Sequence, residues 1–207
     1  RVLSVLEDRS GRLWCGTAQA GLFVVETSGE AVEMRMVAPS LPIDTQVNAL
    51  AEADHGIMWV GTQRGLLRRS SDGTGQWFGF REGLAAAPGI VQEEITSLLV
   101  SGSQVFVGTR FAGLHQIDSA ARPGQRAVVR SWRSESVHSG DGVHSLTATS
   151  DGHLWYGGPG GARQVRLDAA PGIGLRTWGV RDGLGPNEVS AVAEDAVACS
   201  LLQPVAA

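Results

Sequence analysis

Two stretches decide the fold: RVLSVLEDRSGRLWCGTAQAGLF (residues 1–23) and QVNALAEADHGIMWVGTQRGLL (residues 46–67). Laid over each other, they share an apolar start, an acidic and glycine turn, a tryptophan and a Gly-Thr pair. EITSLLVSGSQVFVGTRFAGL (94–114) and GVHSLTATSDGHLWYGGPGGA (142–162) follow the same plan, and NEVSAVAEDA (187–196) begins it again. The first apolar residues are Val2, Val47, Ile95, Val143 and Val189, separated by 45, 48, 48 and 46 residues. A period this regular marks an architecture in which each unit buries its apolar surface only against its neighbours. The units run 1–45, 46–93, 94–141 and 142–186, with a truncated fifth at 187–207.

Each unit reads as four short strands. In the first, Val2–Leu6, Leu13–Gly16 and Gly21–Val25 are apolar runs separated by turns, and a variable loop leads to a fourth run, Met34–Val37. The fourth runs of the later units are Trp77–Phe80, Val128–Trp132 and Leu175–Val180. Runs of this length, rich in Val, Leu and Trp and punctuated by Gly and Asp, are strands, and no helical stretch is expected. Near-continuous apolar character points to sheets covered on both faces. Four-stranded units at this period predict an all-β β-propeller: four complete blades and the start of a fifth.

Fixed positions follow from that packing. Trp14, Trp59, Phe106 and Trp155 recur at one place in the second strand, where a large aromatic fills the gap between twisted sheets. Gly16, Gly61, Gly108 and Gly157 follow two residues later, where a Cβ would crowd the neighbouring blade. The aromatics thus have a packing role, and no sugar-stacking role is assigned to them.

The pattern V-x-S-L-x-E-D-x-x-G-x-L-W-x-G-T, followed by G-L, resembles the two-component regulator propeller repeat. EDRSGRLWCGTAQAGLF (7–23) and EADHGIMWVGTQRGLL (52–67) carry the likeness, and a closing W-x-x-x-[RE]-[ED]-G-L piece recurs in Trp77–Leu84 and Trp178–Leu184. The third unit uses Phe106 for the tryptophan, and the fourth ends in Gly157–Gly158. The resemblance implies a ligand-binding sensor region of a bacterial signalling protein, either a hybrid histidine kinase or a diguanylate cyclase. It also implies a periplasmic or otherwise extracytoplasmic location, a membrane-anchored dimeric parent of seven blades, and output chemistry carried elsewhere. A stand-alone propeller scaffold for protein–protein interaction is the alternative. The fifth unit departs from the pattern, since EDAVACSLLQPVAA (194–207) replaces the expected turn and tryptophan. A truncated or frameshifted frame is expected there. Were four blades to close on themselves, Asn187–Ala193 would be a surplus inner strand without partners. Left open, the arc would expose apolar faces at both ends.

Composition removes other classes. All 17 basic residues are arginine, so no phosphate-loop, Schiff-base or general-base lysine exists. A net charge of −4 excludes a basic nucleic-acid footprint. Glycine supplies 28 of the 207 residues, nearly twice its usual share of about 7%, while 43% hydrophobic and 18% charged residues support a packed core. No apolar run has the length of a membrane span and no signal peptide opens the chain, so no membrane contact is expected of this segment. Cys15 and Cys199 have no metal or redox spacing. The stretch TSDGHLW (Thr149–Trp155) resembles a sialidase Asp-box, but Tyr156, the one tyrosine, occupies a packing position. GGPGG (157–161) precedes no helix and is a strand-to-strand turn. His138 and His144 flank an acidic loop with Asp141, without a short metal motif. No catalytic, cofactor-binding or metal residues are therefore assigned, and no cofactor is expected. The turns between second and third strands gather at one mouth of a propeller and are its default binding surface. They offer Gln19, Gln63, Arg64, Arg110 and Phe111, a set suited to an oligosaccharide, an anionic polymer fragment or another small molecule.

Overall fold

The fold begins in turns that satisfy their own backbone. Asp8 is the most developed case. Its Oδ1 accepts from the Ser10 N–H at 2.9 Å, the Ser10 hydroxyl at 2.6 Å and the Arg12 N–H at 3.0 Å. Its Oδ2 accepts from Arg12 Nε and Trp14 Nε1, both at 2.8 Å. Gly11, at φ 82°, gives the turn its left-handed residue. One carboxylate thereby fixes the first turn and orients the tryptophan of the next strand. Ala53 and Thr149 stand at the matching places in the second and fourth units, so this five-bond arrangement belongs to the first.

The computed structural model describes residues 1–28, 31–37, 41, 44–78, 94–121, 127–132, 142–167, 176–185, 188–195 and 199–202. Blade 1 comprises β1 (Val2–Glu7), β2 (Leu13–Thr17), β3 (Leu22–Ser28) and β4 (Ala31–Met36). Blade 2 comprises β5 (Val47–Glu52), β6 (Met58–Thr62), β7 (Gly65–Arg69) and β8 (Gly75–Phe78). Blade 3 comprises β9 (Ile95–Ser101), β10 (Gln104–Thr109), β11 (Leu114–Ile117) and β12 (Val128–Trp132). Blade 4 comprises β13 (Ser145–Ala148), β14 (His153–Gly158), β15 (Gly161–Arg166) and β16 (Arg176–Trp178). A final pair, β17 (Ala191–Glu194) and β18 (Cys199–Leu202), starts a fifth sheet. Every sheet is an antiparallel meander in chain order, and the innermost strands β1, β5, β9, β13 and β17 neighbour one another in series. This is a β-propeller arrangement.

The cores lie between blades. Trp14, Leu22 and Val24 of blade 1 pack on Val60 and Leu67 of blade 2, with Leu50 and Trp77 partly buried beside them. Trp59 and Leu66 pack on Val105, Val107, Ile117 and Val128 of blade 3. Phe106, Leu114 and Trp132 pack on Leu154, Tyr156 and Val165 of blade 4. Each blade thus has a trailing face carrying the second-strand aromatic, and in blades 2, 3 and 4 the leading face is covered by the preceding blade.

At the inner end of every interface a glycine meets a β-branched residue. A Cβ on Gly16 would fall 2.5 Å from Val47 Cγ1, and one on Gly61 would fall 2.6 Å from Ile95 Cγ2. The corresponding distances are 2.6 Å from Gly108 to Val143 Cγ1 and 2.6 Å from Gly157 to Val189 Cγ1. Those four apolar residues are the first of their units, and all are fully or almost fully buried. The fixed glycine is therefore the notch that seats the next blade. Side chains tie the same strands together. Ser4 Oγ donates to the Val47 carbonyl at 3.4 Å, Asn48 Nδ2 to the Ile95 carbonyl at 2.9 Å, and Thr96 Oγ1 to the Val143 carbonyl.

Three local expectations are corrected. The fourth strands Ala31–Met36 and Gly75–Phe78 start before the expected runs Met34–Val37 and Trp77–Phe80, because the ladder to the third strand, not hydrophobicity, sets their start, while Val128–Trp132 and Arg176–Trp178 fall within the expected runs. Among the described residues, two single turns of 3-10 helix, Asp54–Gly56 and Val180–Asp182, interrupt the all-strand picture. The first sits on His55, which takes a left-handed φ of 61°. With the arc open, β17, from the Asn187–Ala193 stretch, pairs with β18 and lies beside β13. Finally, Trp155 is only partly buried beside Val189 and Val192, whereas Trp59 is fully buried, and it stacks on Trp178 at a centroid distance of 4.5 Å. Val2 and Val5, on the leading face of blade 1, remain 49% and 58% exposed, so the described residues do not close into a ring.

Candidate functional site

The mouth is built where each second-to-third-strand turn meets the entry of a first strand. The Ala18 N–H donates to the Arg1 carbonyl at 2.9 Å, Gln63 N–H to Gln46 at 3.2 Å, and Arg110 N–H to Glu94 at 3.0 Å. These repeated bonds hold the turns side by side on one rim. Neighbouring units are joined there too. Val143 N–H donates to the Thr109 carbonyl at 2.9 Å and Val189 N–H to Gly158 at 3.0 Å, while Gly21 N–H donates to the Thr45 carbonyl at 3.1 Å at the end of the first unit.

One connected polar run crosses from blade 2 to blade 3. Gln46 Nε2 donates to Asn48 Oδ1 at 2.7 Å and to Glu94 Oε1 at 3.4 Å. Asn48 Nδ2 also donates to Glu94 Oε1, at 3.1 Å. Arg110 Nη1 closes on Glu94 Oε2 at 2.8 Å, and its guanidinium carbon lies 5.5 Å from the Phe111 ring centroid. The result is a carboxylate held by two amides and a guanidinium beside an aromatic ring that is 65% exposed. An amide, charge and ring surface of this kind can bond hydroxyls and carboxylates and stack an apolar sugar face.

The structure treats the five sequence candidates differently. Arg110 and Phe111 sit together on the rim, and Arg110 is joined to the polar run through Glu94. Gln63 is partly consumed by the scaffold. Its Oε1 accepts from the Gln46 N–H at 2.6 Å, and its Nε2 donates to the Asp44 carbonyl at 3.0 Å. Arg64 and Gln19 are exposed at the tips of their turns and are not in the run. Gln46, Asn48 and Glu94 were missed by reading loops alone. Their signal was a polar residue on either side of the buried first apolar position, as in Gln46-Val47-Asn48.

Other residues fall into structural places. Tyr156 is 1% exposed with the Arg163 guanidinium carbon 5.7 Å from its ring centroid, which is a packing environment. His144 Nδ1 lies 3.7 Å from Glu188 Oε1, while His138 and Asp141 lie outside the described residues. Among the described residues, no group of three or more His, Cys, Asp or Glu side chains lies together as a metal site. No helix among them is long and apolar enough to cross a membrane.

No family model matches this chain, and no curated protein matches it. Solved structures do. An extracellular domain assigned to a hybrid two-component system of B. thetaiotaomicron is similar over 97% of this chain and 25% of its own, at 20% identity and a TM-score of 0.72. A second, assigned to a one-component system of the same organism, is similar over 95% of this chain and 25% of its own, at 20% identity and a TM-score of 0.67. Virginiamycin B lyase from Staphylococcus aureus is similar over 97% of this chain and 62% of its own, at 13% identity and a TM-score of 0.68. The likeness is one of fold, and the chain spans about a quarter of the length of the first two.

Proposed function

We propose that the chain is part of the ligand-binding input propeller of an extracytoplasmic bacterial sensor and is not itself catalytic. The observation that carries this reading is the rim run from Gln46 to Phe111, where polar groups converge beside an exposed ring with no nucleophile among them. The fold it shares with two extracellular signalling domains supports the same reading. The ligand is an oligosaccharide or other small molecule bearing hydroxyls and a carboxylate. Arg64 supplies a further cation at the edge. In this scheme the parent is a membrane-anchored dimer, and ligand acts by binding one arrangement of the sensor more tightly than another, which shifts their populations. No nucleic-acid contact is part of it.

The test is calorimetric titration of the chain with oligogalacturonides and, in parallel, with neutral cello-oligosaccharides. Binding of the acidic series, weakened at least about tenfold by Arg64→Ala with Arg110→Ala, supports the reading, since removing charged hydrogen bonds costs roughly 1.5–3 kcal/mol each. Unchanged affinity in the double variant, or no binding of either series, refutes this ligand class.

A further inference from the structure

We infer, resting on the reading above, that Glu94 is the rim's internal rival for an acidic ligand: it holds the Arg110 guanidinium and yields it when the ligand's carboxylate binds. The fold has little need of this ion pair. The turn is already fastened by the Arg110 N–H, which donates to the Glu94 carbonyl at 3.0 Å. Blade 1 makes the same bond from Ala18, whose methyl adds no hydrogen bond of its own. Blade 2 reinforces its copy without charge, through Gln63 Oε1 accepting from the Gln46 N–H. The Arg110 and Glu94 side chains are 57% and 21% exposed, and ion pairs so open to water add little to stability.

The geometry lets Arg110 change partner without dismantling the rim. Glu94 Oε1 accepts from Asn48 and Gln46, while Oε2 takes Arg110 Nη1 at 2.8 Å. Release of Arg110 therefore leaves Glu94 tied to blade 2 by two amides. A guanidinium carries five donors in a planar fork, and a carboxylate that engages two of them outbids one held through Nη1 alone. The Phe111 ring, 5.5 Å from the guanidinium carbon, steadies the cation whichever carboxylate it meets. Two carboxylates at one cation also repel each other, so Glu94 lowers affinity for anions and leaves hydroxyl contacts alone. It thereby selects acidic ligands that add stacking and hydroxyl bonds to their charge.

Calorimetric titration with trigalacturonate tests the inference. Glu94→Gln keeps an oxygen for the two amides and removes the charge, and affinity rises about tenfold over the parent chain. Glu94→Asp, one methylene shorter, keeps the charge but loosens the hold on Arg110. Its gain is about threefold, and it decides the matter if the glutamine variant does not fold. In an Arg110→Ala background Glu94→Gln brings no gain, because the contested cation is gone. Unchanged or weaker binding by Glu94→Gln, with the parent chain binding, overturns the inference and leaves the ligand class standing. An equal gain without Arg110 also overturns it, since Glu94 would then act by general repulsion. Binding by neither chain ends the inference together with the ligand class on which it rests.

Discussion

Asp8 is the residue on which the first blade most depends. Burial alone would raise its carboxyl, but the hydrogen bonds from Ser10, Trp14 and Arg12 outweigh that and hold it well below the usual carboxylate range. A depressed folded-state value means the stabilisation is complete above the unfolded value of about 3.9 and is lost as pH falls through and below it. Asp8→Ala is expected to cost about 2–4 kcal/mol at neutral pH, since it strands the buried Trp14 N–H and the turn amides. Urea midpoints at pH 7 and pH 3.5 check the linkage: the drop between them is smaller in Asp8→Asn than in the parent chain. Ser97 makes the opposite case. Its hydroxyl is buried without a hydrogen-bond partner beside Gly108, and blade 2 holds Ala49 at the same register. Ser97→Ala is expected to be neutral or to stabilise by up to about 1 kcal/mol, read as an unchanged or higher midpoint.

Elements were legible to different depths. The first three strands of each unit follow directly from apolar runs between Asp and Gly turns, because those turns close short loops with local bonds. Fourth strands were legible only approximately, since they are edge strands whose pairing depends on the third strand. Asp54–Gly56 was legible as a turn but not as a 3-10 turn, because His55 enters a left-handed conformation that the sequence does not advertise. The second-strand aromatics differ in burial with their neighbours: Trp59 is fully buried and Trp155 is not. This difference predicts unequal costs. Trp59→Ala should destabilise by about 3–5 kcal/mol and Trp155→Ala by distinctly less, measured as shifts in denaturant midpoint at constant slope.

For the whole molecule, the repeat made the architecture readable because one interface is used four times. The site was less readable. Loop position pointed to Arg110 and Phe111, but Gln63 turned out to bridge backbone groups, and Glu94 with its two amide partners sits on strand entries rather than in a loop. The polar residues flanking Val47 and Ile95 mark strand entries, but the pairing across 46 or 48 residues is set by the blade packing and not by local sequence. What organises the assembly is the seat of each β-branched residue in the preceding glycine's notch. A double-mutant cycle at Gly61 and Ile95 tests that claim most directly. Gly61→Ala alone should cost about 1–3 kcal/mol through overpacking, and Ile95→Ala alone about 2–5 kcal/mol through the cavity it leaves. If the seat sets the blade spacing, the double variant is more stable than the sum of the singles by about 1–2 kcal/mol, because the added methyl enters the vacated space. Strict additivity would contradict the account, since it would mean that the two residues do not share the interface that positions blade 3 on blade 2.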